Sequence, residues 1–305
     1  MLVEELVYAP ADDIELVLGG SVSAEGINGS QIGRGVAAEF VVDAETHPYL
    51  DSHRLRGTAV VPAMLVVEWF TRFAHGCCPH RRLRRLRDLE VRKGIQAENY
   101  DDAGDRLTIR ADVDDDNSTG DEPVLQLKLT GDDGTVHYAA VAEMGAHFDA
   151  ADDELVAGYD FDVPESPFEM DEIYVDGRLF HGADFEVLTD IEGIGEGGGI
   201  ASLEGLLRMD WPDEGWQTDP AAMDGALQIG LLWGLDLIGD QTLPMRVDEF
   251  RPFVGAPSDQ PLVCRVRRAD HSSRKIVADV LIETAGGEVL CELRGVSMFA
   301  VPDGV

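Results

Sequence analysis

Two apolar segments, each too uniformly hydrophobic to lie on a surface, constrain what this chain folds into more than any other feature. The first opens at Ala59 and runs Val60-Val61-Pro62-Ala63-Met64-Leu65-Val66-Val67-Glu68-Trp69-Phe70. The second opens at Pro220 and carries Met223, Ala226, Leu227, Ile229, Leu231, Leu232, Trp233 and Leu235. Pro62 suits a first helical position, and a helix apolar nearly all round must be enclosed by other structure. Behind each helix comes a similar strand, Leu89-Glu90-Val91-Arg92-Lys93 in one case and Val247-Asp248-Glu249-Phe250-Arg251 in the other. Elsewhere the period is two. Leu107, Ile109, Ala111 and Val113 alternate with polar neighbours, as do Leu125, Leu127 and Leu129, and strand-like segments follow at 263–266, 275–283 and 288–300. The pattern predicts an α+β chain of two copies of one unit, each wrapping a curved antiparallel sheet around a central helix. The expected division is an N-terminal unit over residues 1–150, a linker over 151–170 and a C-terminal unit over 171–305. Asp152, Asp153, Glu154, Asp160, Asp162, Pro164, Glu165 and Pro167 give that linker the composition of a solvated segment.

Charge narrows the function. Among 305 residues, 59 acidic side chains face 24 basic ones, a net charge of −35 that would repel a nucleic-acid backbone. Lys93, Lys128 and Lys275 are the only lysines, and an Asp-rich, Lys-poor surface is a habit of salt-loving organisms or of a genome's base composition. A hydrophobic content of 44% suffices for a sizeable core. Cys77, Cys78, Cys264 and Cys291 form no metal-ligand spacing, and no charged-apolar-small leader opens the sequence, so a reducing, cytoplasmic setting is expected. The apolar stretches read as shorter than the roughly 18 residues of a membrane span, so no membrane partner is expected. Arg81, Arg82, Arg84, Arg85, Arg87, Arg92 and Lys93 concentrate positive charge, as a docking patch for an acidic partner or as a solvated face offsetting local acid.

Two segments carry chemistry. In the first, His47-Pro48-Tyr49-Leu50-Asp51-Ser52-His53-Arg54-Leu55-Arg56-Gly57 leads to Pro62-Ala63, placing a histidine on an irregular segment just ahead of a helix N-terminus. Unpaired N–H groups and the helix dipole there hold developing negative charge, so a base and an oxyanion site would be neighbours. In the second, Thr218 or Asp219 caps the other helix, while Asp224 and Gln228 stand one turn apart on one face. A carboxyl among apolar neighbours is expected to have a raised pKa and to donate a proton near neutrality. Taken singly, such a histidine is usually a packing residue and such an aspartate a hydrogen-bonded structural group. Their comparable places in two repeated units favour a shared site. The remaining histidines, His47, His75, His80, His137, His147, His181 and His271, show no ligand grouping, and no metal is expected.

These residues resemble a known family. His53, Gly57 and Pro62 match the HxxxGxxxxP motif of polyketide synthase dehydratase domains, and Asp224 to Gln228 match their DxxxQ motif. Leu179-Phe180-His181-Gly182-Ala183-Asp184-Phe185 is similar to the family's aromatic-Gly-Pro-x-Phe segment, and Leu243-Pro244-Met245-Arg246-Val247 to its LPxxI/V strand entry. Within the family, the run from Asp51 to Phe70 most resembles dehydratases of polyunsaturated fatty acid synthases. The resemblance implies a double hotdog fold with the active site between its units. It implies removal of water from a β-hydroxyacyl thioester on an acyl carrier protein, with His53 as base, Asp224 as acid and the Ala63 N–H as carbonyl donor. Gln228 would orient Asp224, Gly57 would permit the turn that aims His53, and Pro62 would open the helix. Tyr174, His181, Gly182 and Phe185 would line the substrate channel. No dissociable cofactor is implied, because the phosphopantetheine arm arrives on the carrier protein. Other synthase domains are implied partners, a homodimer is compatible with the resemblance, and the basic cluster becomes a candidate docking face for an acidic carrier. Three departures stand out: Ala63 for a glycine, Ala183 for a proline and His181 for a frequent tyrosine. The rival readings are a double-bond isomerase or cyclase on the same scaffold and a non-catalytic acyl-binding module.

Overall fold

The computed structural model describes residues 35–119, 122–209, 211–212 and 215–301. The opening residues, on which the expectation of no leader falls, lie outside the described residues. The first unit contains β1 (Val36–Val42), a 3-10 turn (Pro48–Ser52), the short β2 (Arg54–Leu55) and β3 (Thr58–Val60), and helix α1 (Ala63–Cys77). It continues with β4 (Arg82–Val91), β5 (Gln96–Ala97), β6 (Asp105–Val113), β7 (Val124–Gly131) and β8 (Val136–Gly145). Two short helices, α2 (Asp153–Ala157) and α3 (Met170–Tyr174), lead to β9 (Leu188–Gly195) and β10 (Gly198–Leu203). Helix α4 (Pro220–Ile238) and strands β11 (Thr242–Pro252), β12 (Leu262–Ser272), β13 (Lys275–Thr284) and β14 (Val289–Ala300) complete the second unit.

The long strands form one antiparallel sheet in the order β1-β6-β7-β8-β4-β11-β14-β13-β12-β10-β9. Its middle is the pair β4 and β11, with Leu89 opposite Val247 and Leu86 opposite Phe250. The two strands that look alike in the sequence are therefore the ones that join the units. The alternating residues of β6 and β7 turn Leu107, Ile109, Leu125, Leu127 and Leu129 into the core around the central helices. This is the double hotdog arrangement that the repeat and the motifs imply.

Helix α1 begins at Ala63, one residue later than the proline suggests, with Pro62 as its cap and its carbonyl accepting from Leu65 and Val66. Helix α4 is capped by Asp219, whose carboxylate accepts from Ala222 N at 2.9 Å, and ends at Gly239 in the left-handed region at φ 78°. Its 19 residues and mean hydropathy of 1.3 make it long and apolar enough, by length and composition, to cross a bilayer, which corrects the shorter stretch read from the sequence. It is the core helix of the second unit, mostly buried within the protein.

Glu68 on α1 is fully buried yet charged in type. Its carboxylate accepts from Gln217 N at 2.9 Å, Thr218 N at 2.8 Å and Thr218 Oγ1 at 2.6 Å, and Arg72 Nε stands 3.3 Å away. Arg72 lies over the Trp216 ring at 4.9 Å. Burial pushes the Glu68 carboxyl upward, against Arg72 and the three hydrogen bonds that favour its charged form. Through these contacts the helix of the first unit grips the segment that leads into α4. Tyr49 stacks on Trp211 beside it, with ring centroids 3.9 Å apart.

One sequence expectation changes, and one open alternative is narrowed. The stretch read as a solvated linker is strapped to the second unit: Tyr159 is buried, its hydroxyl donates to Glu292 Oε1 at 3.0 Å, and Arg267 covers its ring. Pro164 crosses β9 so closely that a Cβ on Gly193 would collide with its carbonyl. The acidic side chains around it stay exposed, so composition described the outer face and missed the inner one. The basic cluster is largely neutralised: Arg84 pairs with Glu122 and Asp149, Arg85 with Glu143 and Glu249, Arg87 with Glu143, and Arg92 with Glu90. Most of these charges offset local carboxylates, and one pair, Arg85 with Glu249, crosses the joint between units.

Replacing Glu68 by Ala leaves Arg72 without its counter-charge and two backbone N–H groups without an acceptor. The expected loss is about 3–5 kcal/mol of unfolding free energy, measured by urea titration. A loss below about 1 kcal/mol would show that this carboxylate does not join the units.

Candidate active site

His53 follows the 3-10 turn, its N–H donating to Leu50 O at 3.0 Å. The hairpin of β2 and β3 turns at Arg56 and Gly57, both at positive φ (56° and 88°), as a two-residue turn matched to strand twist requires. A Cβ on Gly57 would meet nothing within 4 Å, so the backbone angle alone favours glycine there. The hairpin returns Val60 to His53: Val60 N donates to His53 O at 2.9 Å, and His53 Nδ1 donates to Val60 O at 2.6 Å. A carbonyl only accepts, so Nδ1 carries the hydrogen and Nε2 is left with its lone pair. Pro62 and Ala63 follow at once, and the Ala63 N–H belongs to the first helical turn, whose donors have no intrahelical acceptor.

The second unit supplies the carboxyl. Asp224 and Gln228 are buried on one face of α4, and Gln228 Nε2 donates to Asp224 Oδ2 at 3.0 Å and to Phe185 O at 2.9 Å. Gln228 Oε1 accepts from the Tyr174 hydroxyl at 2.7 Å, and that hydroxyl accepts from Leu188 N at 3.2 Å. Tyr174, expected along the channel, thus holds the amide that holds Asp224.

The segment from Leu179 to Phe185 ties the two together. Gly182 N donates to Ser52 O at 2.7 Å, and Ser52 Oγ donates to Asp184 at 2.7 Å. A Cβ on Gly182 would stand 3.3 Å from Ser52, a tight approach at this crossing. His181 Nε2 lies 3.3 Å from Asp224 Oδ2, its ring 5.1 Å from that of His53, with Phe180 stacked on it at 4.2 Å. Phe185 packs 4.9 Å from the His53 ring. Donor atoms of His53, His181 and Asp224 all lie within 4.8 Å of one another. The expectation that His181 stands apart from any ligand grouping is therefore corrected.

Electrostatics also departs from expectation. Burial lowers the His53 pKa to about 4, helped by His181 and opposed by Asp224 and the Val60 carbonyl, so the ring is neutral at pH 7. Burial alone would raise the Asp224 carboxyl, but the His181 hydrogen bond and charge, His53 and Gln228 together hold it below the ordinary value. The raised carboxyl read from the apolar neighbours is not what the site contains, because its partners come from other segments. His181, the Tyr174 support of Gln228 and the Val60 carbonyl were not assigned these parts from the sequence. The one available signal was the histidine standing where the family motif often has tyrosine.

An unfolded histidine titrates near 6.5, so the buried His53 contributes stability above that pH that is lost as the pH falls toward 4. Histidine-ring NMR, assigned with a His53→Ala variant, should place its midpoint near 4, and a midpoint near 6.5 would contradict the burial argument. The variant's unfolding free energy should also fall less than the parent's between pH 7 and pH 4.

Residues 162–305, the part that carries Asp224, match the family model for the polyketide synthase dehydratase N-terminal domain. No curated protein matches the chain. Among solved structures, the dehydratase domain from the CurF module of the Curacin polyketide synthase is similar over 94% of this chain and 99% of that one, at 16% identity and a TM-score of 0.69. The dehydratase domain of a mycocerosic acid synthase-like polyketide synthase is similar over 93% of this chain and 96% of that one, at 18% identity and a TM-score of 0.66. The CurK dehydratase, solved as an inactive His-to-Phe variant and an inactive Asp-to-Asn variant, is similar at 15% identity with a TM-score of 0.67. The His-to-Phe structure aligns over 93% of this chain and 97% of that one. At these identities the likeness is one of fold, and the family match adds the sequence pattern of the second unit. Over residues 162–305 the chain thus carries the sequence pattern of the polyketide synthase dehydratase family, and over nearly its whole length it has the fold of that family's solved domains.

Proposed function

We propose that this chain removes water from a β-hydroxyacyl thioester to give the α,β-enoyl thioester in polyketide-type biosynthesis. The observation that carries the reading is the meeting of a lone-pair histidine nitrogen from one unit with a carboxyl from the other, each aimed by its own hydrogen bond. His53 Nε2 takes the α-proton, the C–O bond at the β-carbon breaks, and the hydroxyl leaves as water with a proton from the Asp224 side. His181 Nε2 lies 3.3 Å from the Asp224 carboxylate, on the side from which the hydroxyl is protonated. The Ala63 N–H, at the positive end of α1, receives the thioester carbonyl as negative charge develops on it. An alanine keeps this N–H where the family usually has glycine. That the CurK dehydratase is inactive as a His-to-Phe and as an Asp-to-Asn variant supports a histidine and an aspartate as the working pair here.

The substrate is carried on the phosphopantetheine arm of an acyl carrier protein, and other synthase domains are the partners that supply it and take the product. This chemistry needs no dissociable cofactor. The four cysteines, all free and buried, support a reducing, cytoplasmic setting. Ion pairing along β4 favours carrier docking elsewhere than on that strand.

Mass spectrometry of a β-hydroxyacyl carrier protein before and after incubation should show the loss of one water, whereas an isomerase would leave the mass unchanged. His53→Ala and Asp224→Asn should each lower turnover by roughly 100-fold or more. Gln228→Ala removes an orienting bond worth about 0.5–1.5 kcal/mol and should be milder. The double variant of His53 and Asp224 should be hardly worse than the poorer single one. Near-normal dehydration by folded Asp224→Asn protein would remove Asp224 from the mechanism.

A further inference from the structure

We propose that His53, His181 and Asp224 form a binding site for a divalent transition-metal ion of the zinc type, and that the ion blocks the catalytic pair reversibly. Two imidazoles and a carboxylate are a donor set that Zn²⁺ accepts. Three side chains from three separate segments bring donor atoms within 4.8 Å of one another, and all three residues are buried. Ligands about 2.0–2.1 Å from zinc stand about 3.3–3.4 Å apart at the tetrahedral angle. His181 Nε2 and Asp224 Oδ2 are already 3.3 Å apart, so a ring shift by His53 is the adjustment that remains.

The surroundings fit ligation. His53 donates through Nδ1 to the Val60 carbonyl, which fixes Nε2 as the lone-pair nitrogen, as the partner of a ligating histidine does. Gln228 holds Asp224 in the same way. His181 adds an independent sign: its Nδ1 is buried with no hydrogen-bond partner among the described residues. On metal binding the hydrogen sits on Nδ1, and Nε2, 3.3 Å from Asp224 Oδ2, offers the lone pair. Phe180 and Phe185 close the site on the apolar side, where a paired charge gains from exclusion of water. Three protein ligands leave a fourth position open, where the thioester or the departing hydroxyl would otherwise stand. The third ligand exists because this chain carries histidine at a position where the dehydratase motif often carries tyrosine.

The test is calorimetric titration of the purified chain with Zn²⁺ in high salt and excess Mg²⁺, which occupy the acidic surface. One ion per chain is expected, with affinity reduced about 100-fold or more in His181→Phe and in His53→Ala. Absorption of the Co²⁺-loaded parent should show four-coordinate d–d bands, a measurement that needs no variant to fold. Undiminished binding in folded His181→Phe, absence of stoichiometric binding, or an octahedral Co²⁺ spectrum would each overturn the proposal. Binding is read without substrate, so its outcome is independent of whether the chain dehydrates. For the parent that does dehydrate, Zn²⁺ should abolish turnover and a chelator restore it, and full activity of the zinc-loaded chain would overturn the claim that the ion blocks the pair.

Discussion

The site depends on a carboxylate that has no contact with solvent. Glu68 fixes the entry to α4 relative to α1, and His53, Ala63 and Asp224 are each positioned by one of those helices or by the hairpin before it. A buried charge is costly unless its lone pairs are filled, and here two backbone N–H groups, a hydroxyl and a guanidinium fill them. An apolar contact at the same place would hold the helices together, yet it would leave their relative rotation less defined. The hydrogen-bonded carboxylate selects one register, and the Tyr49–Trp211 stack beside it keeps water away.

The sheet makes the same join on its other side. Leu89 and Val247 sit opposite each other, flanked by Arg246 reaching Asp88 and Glu90 and by Arg85 reaching Glu143 and Glu249. A strongly acidic chain concentrates its arginines where strands of the two units meet. There each planar guanidinium serves two carboxylates, which a lysine's compact ammonium does less well.

Much of this was legible in the sequence because periodicity reports burial directly. Segments apolar all round could only be core helices, alternation marked β6 and β7, and the likeness of Leu89–Lys93 to Val247–Arg251 disclosed the repeat. What stayed hidden were relations between distant segments. Likeness did not say that those two strands pair with each other. The neighbours of Asp224 along α4 are apolar and implied a raised carboxyl, whereas His181, from a segment well before the helix, reverses the sign. The count of acids around Tyr159 described a solvated strand of chain, whereas one aromatic ring and a glycine in β9 bind its inner face.

The pairing of β4 with β11 has a mechanical consequence. A hinge between the units would have to part backbone hydrogen bonds along that pair and strip the Glu68 carboxylate of its donors, so the two halves behave as a single stiff shell. A guest cannot be admitted by opening the shell. Its way in is then a matter of side chains and short crossings, and Phe180 and Phe185, on the segment tied to Ser52, are the rings that pack against His53.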